Sequence, residues 1–164
     1  MNIDSTETTD AIMTDSTITG SDTGTSRPLK IGEHGRQLHL DTLATTPWQP
    51  DGLLPGNAYR ELAVGAATGG RVGLRHLLST AAFDKETGWH WHDMDVHAVF
   101  VIRGHITFRF EGLTGEHVVR AGECITQPAG VPHNVVGRSD DLELLELTLP
   151  QRFRSVDLPA ADDA

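Results

Sequence analysis

The stretch from residue 89 to residue 110 reads WHWHDMDVHAVFVIRGHITFRF and does most to decide how this chain folds. Two short runs rich in apolar residues, 97–103 and 105–110, are separated by Arg103-Gly104, and in the second run polar and apolar residues alternate. A period of two is typical of half-buried strands, and a joint that contains glycine is typical of a turn between antiparallel strands. The stretch therefore predicts two paired strands, over residues 97–103 and 105–110.

Similar short runs lie on both sides of this stretch, with turns between them that contain glycine or proline. The sequence predicts further strands over residues 59–66, 72–79, 116–120, 123–127, 131–136 and 142–149, with an edge strand in 36–41. No long window after residue 59 keeps a helical period. This close spacing of short strands indicates an all-β sandwich or barrel.

The strands are expected to form one domain over residues 27–159, because 164 residues is close to the usual size of a single domain. Residues 1–26 are rich in Ser, Thr and Asp without an apolar period, so we expect an acidic disordered tail there. Residues 151–164 are expected to be a short trailing segment, which ends in a C-terminal tail over residues 160–164.

Charge and composition exclude several classes of function. The chain carries 13 Lys and Arg against 23 Asp and Glu, a net charge of −10, which opposes binding to nucleic acid or to an anionic membrane. No apolar run approaches the length of a membrane-spanning helix, and the first residues lack the features of a secretory signal. A single cysteine, Cys124, forbids a disulfide within the chain and favours a cytoplasmic protein.

Four of the nine histidines form a pattern that suggests a metal site. His90 and His92 are two residues apart, so both side chains lie on one face of a strand. His97 has the opposite parity and can join them only if residues 93–95 contain a bend or bulge. His133 follows the turn Pro128-Ala129-Gly130 and begins a new strand.

The spacing of these histidines resembles the cupin superfamily through two separate motifs between residues 89 and 137. The first is matched by His90, His92, His97 after four residues, and Gly104 after six more. The second is matched by Gly122, the turn 128–130 after five residues, His133 after two more, and Gly137. Three positions depart from the family pattern: Asp84 stands for a glycine, Gly137 for an asparagine and His97 for the usual glutamate.

The resemblance implies a cupin double-stranded β-helix, or jelly-roll barrel, with a four-histidine metal site of His90, His92, His97 and His133. It implies one divalent transition metal per chain, iron first and Mn, Ni, Cu or Zn as alternatives. We then expect a nonhaem iron dioxygenase that acts on a small enol-like or diketone-like substrate. A non-redox isomerase, lyase or hydrolase and a noncatalytic small-molecule-binding module remain open. The family also implies a homodimer.

A metal site without a carboxylate ligand needs another group for proton transfer. Glu143 and Glu146 have opposite parity, so in a regular strand one of them faces the barrel interior, unless a bulge at residues 144–145 turns both outward. Glu146 and His76 are the candidate catalytic residues. Gln127 is expected to cap the proline turn. The apolar faces of the predicted strands suggest a pocket for a small, partly apolar substrate. Phe100 and Ile102 are expected to form an outer apolar strip.

Overall fold

The structure, a computed structural model, describes residues 28–31, 36–50 and 56–159. The predicted tails, 1–26 and 160–164, lie outside the described residues. The first elements are β1 (Pro28–Ile31), β2 (Arg36–His39), β3 (Gln49–Pro50), β4 (Asn57–Glu61), α1 (Val64–Thr68), β5 (Gly73–Ser79) and β6 (His90–Asp93). They are followed by β7 (Val96–Arg103), β8 (His105–Phe110), β9 (His117–Arg120), β10 (Cys124–Pro128), β11 (His133–Arg138), β12 (Glu143–Leu149) and β13 (Arg154–Asp157).

Two antiparallel sheets form the barrel. The larger has the order β10-β7-β12-β5-β4-β3 and the smaller the order β13-β6-β11-β8-β9, while β1 and β2 pair separately. Strands distant in sequence are neighbours in both sheets, which is the topology of a jelly roll. The predicted all-β jelly-roll barrel is therefore confirmed.

The apolar core lies between the sheets, because the inward side chains of strands from both sheets meet there. The larger sheet contributes residues from β5, β7 and β12, and the smaller contributes residues from β8, β9 and β11. Its buried members are Leu77, Val99, Val101, Ile106, Phe108, Phe110, Val119, Val135, Leu142 and Leu144. Burial of these side chains is the main favourable contribution to folding.

Two segments differ from the sequence-based prediction. The strand predicted over 59–66 ends at Glu61, and Val64–Thr68 forms a short helix that Gly69 terminates with φ +64°. Five residues are too few to show a helical period. Arg154–Asp157, expected to be part of a trailing segment, pairs as β13 with β6. Val156 is the only apolar residue of this strand, so the sequence shows almost no alternation there. The strand forms through backbone pairing with β6.

Gly104 joins β7 to β8 with φ +73°, and a Cβ at this position would overlap Ser139 Oγ and Asp141 Oδ1. We expect Gly104→Ala to lower the free energy of unfolding by about 2 to 4 kcal/mol, because backbone strain and overlap add. Gly112 is the control: it has φ +77° and open space around its Cα, so Gly112→Ala should cost only about 1 to 2 kcal/mol. Urea unfolding measures both; equal losses would contradict this account of Gly104.

Candidate metal centre

Three histidines from two neighbouring strands face one another. His90 and His92 lie on β6, and His133 on β11 is the register partner of His90. One ring nitrogen from each of the three lies within 4.8 Å of the others. The ring centroids are 4.4 Å apart for His90 and His133, and 5.0 Å apart for His92 and His133.

The Nδ1 atom of each of these rings has a hydrogen-bond partner, whereas no Nε2 atom of the three has one among the described residues. His90 Nδ1 lies 2.9 Å from the Gly88 carbonyl oxygen, and His133 Nδ1 lies 3.0 Å from that of Val131. A carbonyl only accepts, so both Nδ1 atoms carry the proton and both Nε2 atoms present lone pairs. His92 Nδ1 lies 3.0 Å from the Ser155 hydroxyl oxygen on β13. Such partners orient histidines that ligate metals.

His97 is brought beside this group but is bound differently. The break at residues 94 and 95 between β6 and β7 turns His97 to the interior, as the sequence analysis required. Its ring lies 5.2 Å from that of His92 and 6.1 Å from that of His133. His97 Nε2 lies 2.8 Å from Glu146 Oε1. Of the four predicted ligands, three form the metal-competent group and the fourth pairs with a carboxylate.

Glu146 extends from β12 into the same interior, where its side chain is only 11% exposed. Burial by itself raises the pKa of Glu146, but the hydrogen bond from His97 and the positive charge of Arg75 outweigh burial and hold the pKa below its usual range. Arg75 Nη1 lies 3.6 Å from Glu146 Oε2, which has no hydrogen-bond partner within the described ranges. Glu146 is therefore an ionised carboxylate inside the barrel.

His76, the other candidate catalytic residue, lies on the outer face of the larger sheet. Its Nε2 lies 2.8 Å from Glu143 Oε1, and its Nδ1 accepts a hydrogen bond from Arg60 Nε at 3.2 Å. β5 directs Leu77 into the pocket and therefore His76 to the opposite face of the sheet, away from the pocket. Glu143 and Glu146 are thus separated onto opposite faces of β12, as their parity predicted.

Gln127 is a buried polar residue whose environment the sequence did not reveal. It is 3% exposed and is the register partner of His97. Neither side-chain atom of its amide has a hydrogen-bond partner within the part of the chain that the structure describes. The expected turn-capping role is therefore not what the structure shows. The signal that could have revealed this environment was the position of Gln127 on the same inward face as His97.

One pocket contains the three histidines together with His97 and Glu146. Its volume is about 140 Å³, close to that of a cavity that holds benzene. Its walls are mostly apolar, and polar side chains from β13 and from residue 87 lie near its mouth. The remaining lining residues are Leu77, Thr87, Val99, Ile106, Phe108, Val135, Leu144, Ser155 and Asp157.

Comparison with known families agrees with this architecture. A family model described as a cupin domain matches residues 80–148. That range holds all four histidines of the motifs and Glu146. The chain contains a cupin domain. No curated protein matches this cupin, and no helix within its described ranges is long and apolar enough to cross a membrane.

Solved structures show the same fold at low sequence identity. KdgF from Halomonas sp. is 18% identical with a TM-score of 0.51, over 64% of this chain and 88% of that one. The polyketide cyclase RemF from Streptomyces resistomycificus is 21% identical with a TM-score of 0.53, over 66% and 75%. Oxalate decarboxylase from Bacillus subtilis is 17% identical with a TM-score of 0.55; the match covers 72% of this cupin but only 32% of the decarboxylase.

The donor set of this cupin fits a divalent transition metal. Three imidazoles whose Nε2 atoms are not hydrogen-bonded within the described residues match the nitrogen ligands that such ions prefer, and three protein ligands leave positions open for a substrate. Burial and the neighbouring imidazoles lower the pKa of His92 to about 3. Burial also lowers the pKa of His133 to about 4, although its hydrogen bond to Val131 opposes the shift. Both rings are neutral at pH 7, so no proton competes with the metal.

These pKa values predict how the stability of the metal-free protein depends on pH. An imidazole titrates near 6.5 in an unfolded chain, whereas His92 and His133 titrate near 3 and 4 in the folded one. The unfolded chain therefore takes up protons first as the pH falls, and stability present above pH 6.5 is lost towards pH 4. Urea unfolding of the chelator-treated protein should show this fall, and His133→Gln should reduce it. A free energy of unfolding that stays constant over this range would contradict the assignment.

Proposed function

We propose that this cupin is a mononuclear metal-dependent enzyme that transfers a proton on a small substrate with chelating oxygen atoms. One observation carries the proposal: three histidines with free Nε2 atoms share a pocket with the buried His97–Glu146 pair. The first part is a metal-binding group and the second is an acid-base group. Metal-assisted isomerases, lyases and cyclases combine such groups.

His90, His92 and His133 would hold the metal. A divalent ion bound there polarises a substrate oxygen and makes the adjacent C–H or O–H group more acidic. The proton then needs an acceptor in the pocket. None of the three histidines is free for this role, because their Nδ1 atoms are hydrogen-bonded and their Nε2 atoms would ligate the metal.

His97 Nδ1 is the proposed acceptor. Because Glu146 is ionised, it accepts the proton of His97 Nε2, and a neutral ring then carries its lone pair on Nδ1. His97 Nδ1 is buried and has no partner among the residues described. Glu146 would orient the ring and stabilise the imidazolium that forms when Nδ1 takes the proton, as a carboxylate does for a catalytic histidine.

Oxidative cleavage of the same substrate by O2, with iron as the metal, is the second candidate. The observation that favours it is the all-imidazole donor set, which suits iron and leaves coordination positions open. The sequence analysis placed this dioxygenase reaction first. The acid-base pair found in the pocket now favours proton transfer, since it supplies the base that a four-histidine site would lack. Iron as the bound metal and a cytoplasmic location stay predictions.

Hydrogen–deuterium exchange separates the two reactions. The chain is loaded in turn with Zn, Mn, Ni or Fe and incubated without O2 in D₂O with a panel of diketones, hydroxyketones and enols. We expect deuterium to enter the carbon α to the chelating carbonyl group faster than with His133→Ala. O2 uptake by the iron form, without anaerobic exchange by any form, would support the dioxygenase. If neither reaction is observed, a noncatalytic binding module is the remaining interpretation.

We also propose that the outer face of the larger sheet pairs with a second copy of the chain. Phe100 and Ile102 on β7 are 43% and 42% exposed, and Leu145 on β12 extends this apolar strip as the register partner of Phe100. Twofold dimers bury such self-complementary patches. Light scattering should show a dimer that Phe100→Asp converts to a monomer. Leu113→Asp, at a 58% exposed position elsewhere, is the control. A monomeric unmodified chain would contradict the proposal.

A further inference from the structure

We infer that the pocket selects substrates whose part beyond the chelating oxygens is uncharged, and that it rejects those with an additional carboxylate. This inference rests on the proposed metal-chelating function and adds the substrate class. Its basis is the set of charges around the pocket, which is acidic and contains no cation available to an anionic group.

The charged side chains that line the pocket are carboxylates. Glu146 lies inside it, almost fully buried, and Asp157 lies at its exposed mouth as the register partner of His90. No lysine or arginine lines the pocket within the described part of the chain. A metal ion would attract the chelating head of a ligand, but a tail that points away from the ion would face these two carboxylates.

Arg75 is the cation nearest to Glu146, and its charge is already neutralised. Its Nε donates to Glu61 Oε1 at 2.6 Å, and its Nη1 lies 3.6 Å from Glu146 Oε2. The guanidinium also lies over the Phe153 ring, 5.6 Å from its centroid. A substrate carboxylate would have to displace one of two carboxylates already in place, so Arg75 is not a free anion-binding group.

The remaining walls disfavour charge for a second reason. Val99, Ile106, Phe108 and Leu144 surround the interior and offer no hydrogen-bond donor. A carboxylate placed among them loses its hydration without compensation, which is costly. A short alkyl or aryl group gains by burial there. The volume of about 140 Å³ limits this group to a few carbon atoms.

Three hydroxamates that share the same chelating head and differ in their tails test the inference through their binding affinities. Pentanohydroxamic acid has an apolar tail, succinamide monohydroxamic acid a neutral polar tail, and succinic monohydroxamic acid a carboxylate tail of the same size as the amide. Titration calorimetry with the zinc-loaded chain gives each Kd. We expect both neutral tails to bind at least about tenfold more tightly than the carboxylate, because like charges repel strongly in a partly buried pocket. The apolar tail should bind most tightly.

Two variants test whether the pocket carboxylates cause the preference for uncharged tails. Glu146→Gln should reduce the preference for the amide over the carboxylate, and Asp157→Asn should reduce it less, because solvent screens the mouth. Carboxylate binding equal to or tighter than amide binding would overturn the inference and leave the chelating site intact. Failure of all three hydroxamates, and of acetohydroxamic acid, to bind the zinc-loaded chain would overturn the chelating function and the inference with it.

Discussion

The His133→Ala variant is expected to bind zinc at least about a hundredfold more weakly than the unmodified chain, since loss of a ligand exceeds the effect of losing an orienting partner. His133 is 3% exposed, and the Val131 carbonyl fixes its Nδ1, so its ring is held in place. The rings of His90 and His92 alone would hold the ion by two bonds. Competition with a chromophoric chelator measures the change.

Two controls accompany this measurement. His105→Ala removes an exposed histidine of β8 and should leave zinc affinity unchanged. His133→Gln keeps most of the side-chain volume in the core, so weak zinc binding by a variant with an intact circular dichroism spectrum cannot be ascribed to unfolding. Unchanged zinc affinity in both His133 variants would show that the metal, if bound, lies elsewhere.

The Glu146→Gln variant is expected to slow metal-dependent proton exchange by about 10² to 10⁴, the usual contribution of an acid-base group, while it still binds one zinc per chain. Glutamine keeps the shape of the side chain but cannot stabilise an imidazolium at His97. His97→Gln should lose a similar factor. The double variant should be no slower than either single variant, because the two residues act as one unit.

Glu143→Gln is the matched control for this prediction. Glu143 is on the same strand, three residues earlier, and its oxygen bonds His76 with the same 2.8 Å distance that separates Glu146 and His97. It lies on the outer face, so exchange should continue at the rate of the unmodified chain. Equal loss in both glutamine variants would point to a general effect of strand β12 instead of a role in the pocket.

Much of this architecture could be predicted from the sequence because strands and glycine turns leave local signals. The two short runs on either side of Arg103-Gly104 predicted the ends of β7 and β8 to within one residue. The parity of His90 and His92 placed both on one face. The odd parity of His97 required the break between β6 and β7, which the structure contains.

The pairing of His97 with Glu146 could not be predicted, because the two residues are 49 positions apart and meet only through the register of β7 and β12. Parity showed that either Glu143 or Glu146 faces inward but not which one. The register of β12 against β7 pairs Glu146 with the buried Val99 and so places Glu146 inside. Likewise, the register of β5 places His76 on the outer face. Alternation in a sequence shows which residues share a face of a strand, but it does not show which face lies inside the barrel.

A crystal structure of the zinc-loaded chain, with anomalous diffraction recorded at the zinc edge, would locate the metal. We expect one peak about 2.0 to 2.1 Å from Nε2 of His90, His92 and His133, with His97 Nε2 still on Glu146. A zinc ion bonded to His97 as a fourth ligand would contradict this prediction, because the base would then be part of the metal site. So would a peak away from the three histidines.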